Sequence, residues 1–189
     1  MWEPSDPEVF TSDAHLEQMK RIDALRDHYG YISKHVVSPV MQMHNQVLRG
    51  GRLWIDGCYA AEHSKLRARN ITAVCALGDP DACYPEPMEG VAYFNITLGD
   101  YHYENIKAHF ESATTFIHEH ILKNGGRVLV HCAAGVSRSS TICIAYLMRY
   151  HQLSFAAAYA VVLEARCIID PNPGFVAQLK EWENELTFQ

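Results

Sequence analysis

The chain has 189 residues, 48% of them hydrophobic, with a formal net charge of −6. Such a length and apolar content suit one globular domain with a substantial core and exclude a disordered chain. The acidic balance and the lack of a dense basic tract argue against nucleic acid or an acidic membrane surface as partner.

Residues 1–11 are expected to be loose. Ser12 or Asp13 is placed to cap a helix ending near Tyr29, with Gly30 as its stop and Leu16, Met19, Ile22, Leu25 and Tyr29 on one apolar face. This assigns residues 1–44 to an N-terminal extension with a packed helix, and residues 45–189 to the main domain. The proline-broken acidic start resembles neither a signal peptide nor a transit peptide, and no apolar run approaches the ~20 residues of a membrane span.

Residues 43–48 are predicted as a strand turning at Gly50-Gly51 into a second at 52–55. A short helix over 62–69 and an apolar strand over 71–77 follow; Asp79-Pro80, Pro85 and Pro87 mark a loop, and 91–96 reads as another strand. Residues 104–122 form the clearest amphipathic helix, with Ile106, Phe110, Ala113, Ile117 and Ile121 on one face and Gly125-Gly126 beyond its end. His118-Glu119-His120 is read as a solvated polar face, since residues two apart on a helix do not share a side. Two more helices are expected from Ser154 to about Cys167 and from Asn172-Pro173 onward, the last with a stripe of Phe175, Leu179, Trp182 and Leu186.

Strands alternating with helices imply an α/β fold: a central mixed, largely parallel sheet of about five strands flanked by helices. In such sheets sites gather at the carboxyl ends of the strands. The six cysteines lack zinc-site spacing, and several lie in apolar segments, so they are read as reduced core residues of a cytoplasmic protein with no metal.

One stretch carries chemistry. Cys132-Ala133-Ala134-Gly135-Val136-Ser137-Arg138 lies between an apolar strand at 127–131 and a buried helix at 139–148. A strand–loop–helix junction turns backbone N–H groups into one bowl with the positive end of the helix dipole behind it. Helix N-termini and neighbouring arginines favour the thiolate, the nucleophilic form of cysteine. Arg138 offers a planar fork that matches two phosphate oxygens. The pattern points to phosphoryl transfer through a phosphocysteine, with Cys132 expected to be exposed and sensitive to peroxide. A carboxylic acid is then needed for the leaving group; Asp100, at a strand end, is a candidate, and Asp79 and Asp81 compete with it. The Ser139 hydroxyl is placed to stabilise the departing thiolate.

His131-Cys132, Gly135 and Ser137-Arg138-Ser139 resemble the signature of the dual-specificity subgroup, in its atypical form, of the cysteine-based protein tyrosine phosphatases. Ala145-Tyr146-Leu147-Met148, Ala158-Tyr159, Arg166, Pro171-Asn172, Gly174-Phe175 and Gln178-Leu179 extend the likeness, which covers roughly residues 45–187. The resemblance implies the phosphotyrosine protein phosphatase fold, a shallow pocket for phosphotyrosine and phosphoserine or phosphothreonine, and Asp100 as general acid. It implies Asn172 as a brace for the phosphate loop, which would also cap the last helix, and His131 as a hydrogen-bonding neighbour of the cysteine or a packed core histidine. It implies no cofactor, and a phosphorylated protein as substrate, a kinase being one candidate. Asp56-Gly57 departs from the family's tidier glycine turn.

The rivals are a weakly active or non-catalytic phosphoresidue-binding scaffold, and a phosphatase for RNA 5′ ends or phosphoinositides. The presence of Cys132 counts against the first, and the uncharged rim of Ala133, Ala134 and Val136 counts against the second. A redox reductase or sulfurtransferase could share the junction, but not Asp100 with Arg138.

Overall fold

The structure, a computed structural model, describes residues 46–48, 50–123 and 125–187. The helix expected over 12–29 and the whole extension 1–44 lie outside the described residues.

Four strands form one sheet among the described residues: β1 (Leu53–Gly57), β2 (Ala73–Leu77), β3 (Ala92–Ile96) and β4 (Val128–Cys132). Their order is β1-β4-β2-β3, and every pairing is parallel. The expected strand at 43–48 reduces, in its described part, to one antiparallel bridge from Gln46 to Trp54. Among the described residues the count is therefore four rather than about five. The backbone bends at Val47 and Leu48 instead of extending, with Val47 N–H donating to Leu53 O at 2.8 Å.

Helices fill the intervals: α1 (His63–Ala68), the single turn α2 (Pro80–Cys83), α3 (Phe110–Leu122), α4 (Arg138–His151), α5 (Phe155–Ala165) and α6 (Pro173–Thr187). Short 3-10 turns at Cys58–Ala61 and Lys107–His109 join them. The expected loop at Asp79-Pro80 is instead the start of α2: Asp79 Oδ1 accepts from Asp81 N–H at 3.1 Å and Pro80 fills a first-turn position that needs no donor. Helix α5 starts as its sequence suggests, with Ser154 Oγ accepting from Ala157 N–H at 3.2 Å, a cap worth about 1 kcal/mol.

Strand alternation divides the core. Trp54, Val74, Ala76 and Leu129 face one side, where Ala60, Ala61, Leu66 and Ile71 pack on them. Helices α3 and α4 pack on the sheet. The predicted face of α3 is the buried one, with Phe110, Ala113 and Ile117 fully covered. All ten residues from Ser139 to Met148 in α4 are buried, so this helix is the centre of the helical layer rather than an amphipathic cover. Full burial of a side chain such as Phe110 or Phe175 stabilises by about 2–3 kcal/mol.

His118 and His120 depart from a plain solvated face. His118 stacks on Tyr150 of α4 with ring centroids 3.8 Å apart, and His120 lies against Phe116 at 4.3 Å. The polar edge of α3 is thus half-covered by aromatic rings, Tyr150 from α4 and Phe116 from one turn earlier in α3 itself.

Candidate active site

The carboxyl ends of the parallel strands converge on one edge, and the loops leaving β3 and β4 meet there. Strand β4 delivers Cys132 at its last position, opposite Gly57 of β1. Gly135 adopts φ +68°, a conformation glycine takes without steric cost, and so closes the loop that leads into α4. A side chain there would also strike β1, since a Cβ would come 2.4 Å from the Asp56 carbonyl carbon.

The Cys132 thiol is buried, with 1% exposure, so it is not the exposed group the sequence suggested. It forms the floor of the bowl: Gly135 N–H points to Sγ at 3.3 Å, and Ser139 Oγ lies 3.3 Å from it. Arg138 Nη1 donates to Leu98 O at 2.9 Å, which holds the guanidinium beneath the loop leaving β3. Its Nε is buried without a hydrogen bond and stands 3.7 Å from Asp100 Oδ2. At the end of β2, Gly78 makes room for this arrangement, because a Cβ would come 2.9 Å from Arg138 Nη1.

Asp100 reaches the phosphate loop. Its Oδ1 accepts from Ser137 Oγ at 2.7 Å and from Asn172 Nδ2 at 2.8 Å. The rival carboxylates stand apart from these contacts: Asp79 caps α2, and Asp81 is exposed in its first turn. Asn172 has several partners. Its backbone N–H donates to Ser137 Oγ at 3.1 Å, and its Oδ1 accepts from Phe175 N–H at 3.0 Å as the cap of α6. The Asn172 side chain therefore reaches the carboxylate, while its backbone touches the loop. Two further bonds fasten the Asp100 loop to α6: Lys107 N–H to Gln178 Oε1 at 2.9 Å, and Gln178 Nε2 to Glu104 O at 2.8 Å.

Ala133 is exposed at the rim; Ala134 and Val136 are half-buried. Among the described residues, no group of three or more His, Cys, Asp or Glu could hold a metal ion. All six cysteines are free thiols; burial pushes Cys75 up to about 12 and also raises Cys143 well above the ordinary thiol value.

His131 is fully buried behind the cysteine, and neither ring nitrogen makes a hydrogen bond of normal geometry. Burial pushes its pKa from 6.5 down to about 4; the nearby Cys132 peptide and Asp56 carboxylate favour the charged ring but do not offset the lost hydration. The unfolded chain therefore binds more protons than the folded one between those two values. Stability should be full above pH ~6.5 and fall as pH drops through the window, by on the order of 2 kcal/mol between about pH 7.5 and 5. Denaturant unfolding at those two pH values checks this. His131→Asn should lose much of the slope, and an unchanged slope would rule out His131 as its source.

Two residues that sequence reasoning left without a role stand directly behind the loop. Arg166, 3% exposed, donates from Nε to Gly135 O at 2.7 Å and from Nη2 to Ala134 O at 2.9 Å. Asp56, 5% exposed, faces its Nη1 at 3.3 Å. Arg166 was visible only as part of a C-terminal pattern, and arginines are rarely buried. Asp56, a carboxylate at the end of an apolar strand, is unusual on its own, but nothing in the sequence beside it points to Arg166.

The family model for the dual specificity phosphatase catalytic domain matches residues 53–185. The chain belongs to this family. Dual specificity protein phosphatase 14 of Mus musculus is 41% identical over 123 residues, covering 64% of this chain and 60% of that protein. Dual specificity protein phosphatase 5 of Rattus norvegicus is 44% identical over 137 residues, covering 71% of this chain and 34% of that protein. The chain thus spans less than two thirds of the length of either relative. Among solved structures, the human tyrosine phosphatase-like serine/threonine/tyrosine-interacting protein matches with a TM-score of 0.69 at 33% identity, covering 75% of this chain and 95% of that one.

Proposed function

We propose that this chain hydrolyses phosphotyrosine and phosphoserine or phosphothreonine in protein substrates, kinases among them, through a phosphocysteine intermediate. One observation carries the reading: a thiol, a guanidinium and a carboxylate from two different strand ends meet at one loop, with Asp100 Oδ1 2.7 Å from Ser137 Oγ and Oδ2 3.7 Å from Arg138 Nε.

The chemistry follows in two balanced steps. The Cys132 thiolate attacks phosphorus, and the S–P bond forms as the ester P–O bond breaks. Arg138 and the loop N–H groups neutralise the equatorial oxygens, and Asp100 gives its proton to the leaving alkoxide or phenoxide. Water then attacks the phosphocysteine and passes a proton to the Asp100 carboxylate. The S–P bond breaks, inorganic phosphate leaves, and the Ser139 hydroxyl, 3.3 Å from Sγ, donates to the departing thiolate. The buried Arg138 Nε supports this reading, since a phosphate oxygen would give it an acceptor.

The test is a substrate panel. Phosphotyrosyl and phosphothreonyl peptides should both be turned over, while a phosphoinositide and an RNA 5′-triphosphate should give rates at least about tenfold lower per mole of enzyme. Faster turnover of the lipid or the RNA would overturn the protein-substrate assignment.

A further inference from the structure

Asp56 takes no part in the steps above, yet its carboxylate is among the most fully engaged in the described structure. Its Oδ1 accepts from Gly57 N–H at 2.9 Å and faces Arg166 Nη1 at 3.3 Å; its Oδ2 accepts from Arg69 Nη1 at 3.1 Å. Arg69 in turn lies over the Trp54 ring, 5.0 Å from its centre. A carboxylate so held fixes the guanidinium beside it.

What Arg166 does with its other donors gives the carboxylate a purpose. It grips two successive carbonyls of the loop, Ala134 O and Gly135 O. In a trans peptide the C=O and the following N–H point in opposite directions. Pulling Ala134 O backward aims Gly135 N–H forward, and pulling Gly135 O backward aims Val136 N–H forward. The first of these is visible, since Gly135 N–H points to Cys132 Sγ. Left-handed Gly135 lets two consecutive peptides face the same way, which is the geometry of an anion-binding nest.

We infer that Asp56 is a positioning residue of the phosphate loop: through Arg166 it sets the direction of two peptide N–H groups, Gly135 N–H toward the Cys132 thiol and Val136 N–H toward the phosphoryl oxygens. The inference rests on the reading of residues 132–138 as an oxyanion loop. Asp56 touches neither substrate nor thiol; its effect passes through one buried guanidinium.

The test uses tungstate as a competitive oxyanion and an aryl phosphate as substrate, with the full chain. Asp56→Asn should raise the tungstate inhibition constant and lower kcat/KM by about tenfold each, because Arg166 loses its counter-charge and loosens its grip on the carbonyls. A purely structural role would lower Tm and the active fraction, but leave the inhibition constant of the folded enzyme at the wild-type value. On an Arg166→Met background, Asp56→Asn should add no further loss. Wild-type tungstate affinity in Asp56→Asn, or multiplicative losses in the double variant, would overturn the inference. If Asp56→Asn does not fold, Arg166→Lys decides. It keeps the charge facing Asp56 but cannot hold both carbonyls, so its inhibition constant should also rise about tenfold; a wild-type value there overturns the inference equally. The oxyanion-loop reading fails separately, if Cys132→Ser keeps full turnover or loses tungstate binding.

Discussion

Replacing Cys132 by serine is expected to reduce aryl phosphate turnover by at least about 10⁴-fold while leaving tungstate affinity within about tenfold of wild type. The two outcomes separate because two different sets of atoms are involved. The nucleophile is one sulfur, and a serine hydroxyl at neutral pH is a far weaker one. Oxyanion binding rests on loop N–H groups and Arg138, none of which the substitution removes. The fold should tolerate it: the side chain is buried, the change is nearly isosteric, and the neighbouring Ser139 Oγ can hydrogen-bond to a hydroxyl as well as to a thiol. Tungstate affinity by calorimetry and turnover by phosphate release check both halves. Full activity in this variant would remove the phosphocysteine mechanism altogether.

Asp100→Asn should lower kcat by about 10²- to 10³-fold on phosphopeptides, whose leaving groups need a proton, and by much less on an activated aryl phosphate. Asparagine is the informative substitution because it preserves the local bonding. Its carbonyl oxygen can still accept from Ser137 Oγ and Asn172 Nδ2, so the loop stays in place while the proton is lost. Steady-state rates across a series of leaving groups should steepen with leaving-group pKa. If Asp79→Ala reproduces that steepening and Asp100→Asn does not, the acid has been misassigned. The contacts of Asp79, confined to the start of α2, give no route to such an effect.

The parts of this molecule that sequence revealed are those governed by local patterning. The α3 face of Phe110, Ala113 and Ile117, the apolar run of β4 and the glycine-closed loop after it each follow from a few neighbouring residues. Cys132, Arg138 and Ser139 share one short segment, and the loop built from it has the shape its spacing suggested. Asp100 needed more than local pattern, because Asp79 and Asp81 fit the same chemical description; only the fold shows which carboxylate reaches Ser137. The strand expected at 43–48 illustrates the opposite failure. A strand turning at Gly50-Gly51 is expected there, but in the described residues the backbone turns after a single bridge. Arg166 and Asp56 were illegible for a physical reason. A buried ion pair joins residues far apart in the chain, and nothing near either of them announces the partner. The same holds for Gln178, whose side-chain amide bridges Glu104 and Lys107.

The strand order β1-β4-β2-β3 bears on how the protein is made. Strand β1 emerges first from the ribosome, but its neighbour in the sheet is β4, the last strand to be synthesised. Until β4 has appeared, β1 has no partner strand among the four, and Asp56 has no loop to stand behind. The Arg166 that joins them comes later still. Strands β2 and β3, adjacent in sequence and in space, can pair early at small entropic cost, whereas closing β1 onto β4 spans most of the domain. The nascent chain therefore carries no partial version of the site. Cys132, Asp100 and the Arg166 that grips the loop between them come together only after β4 and the segment that follows it have been made.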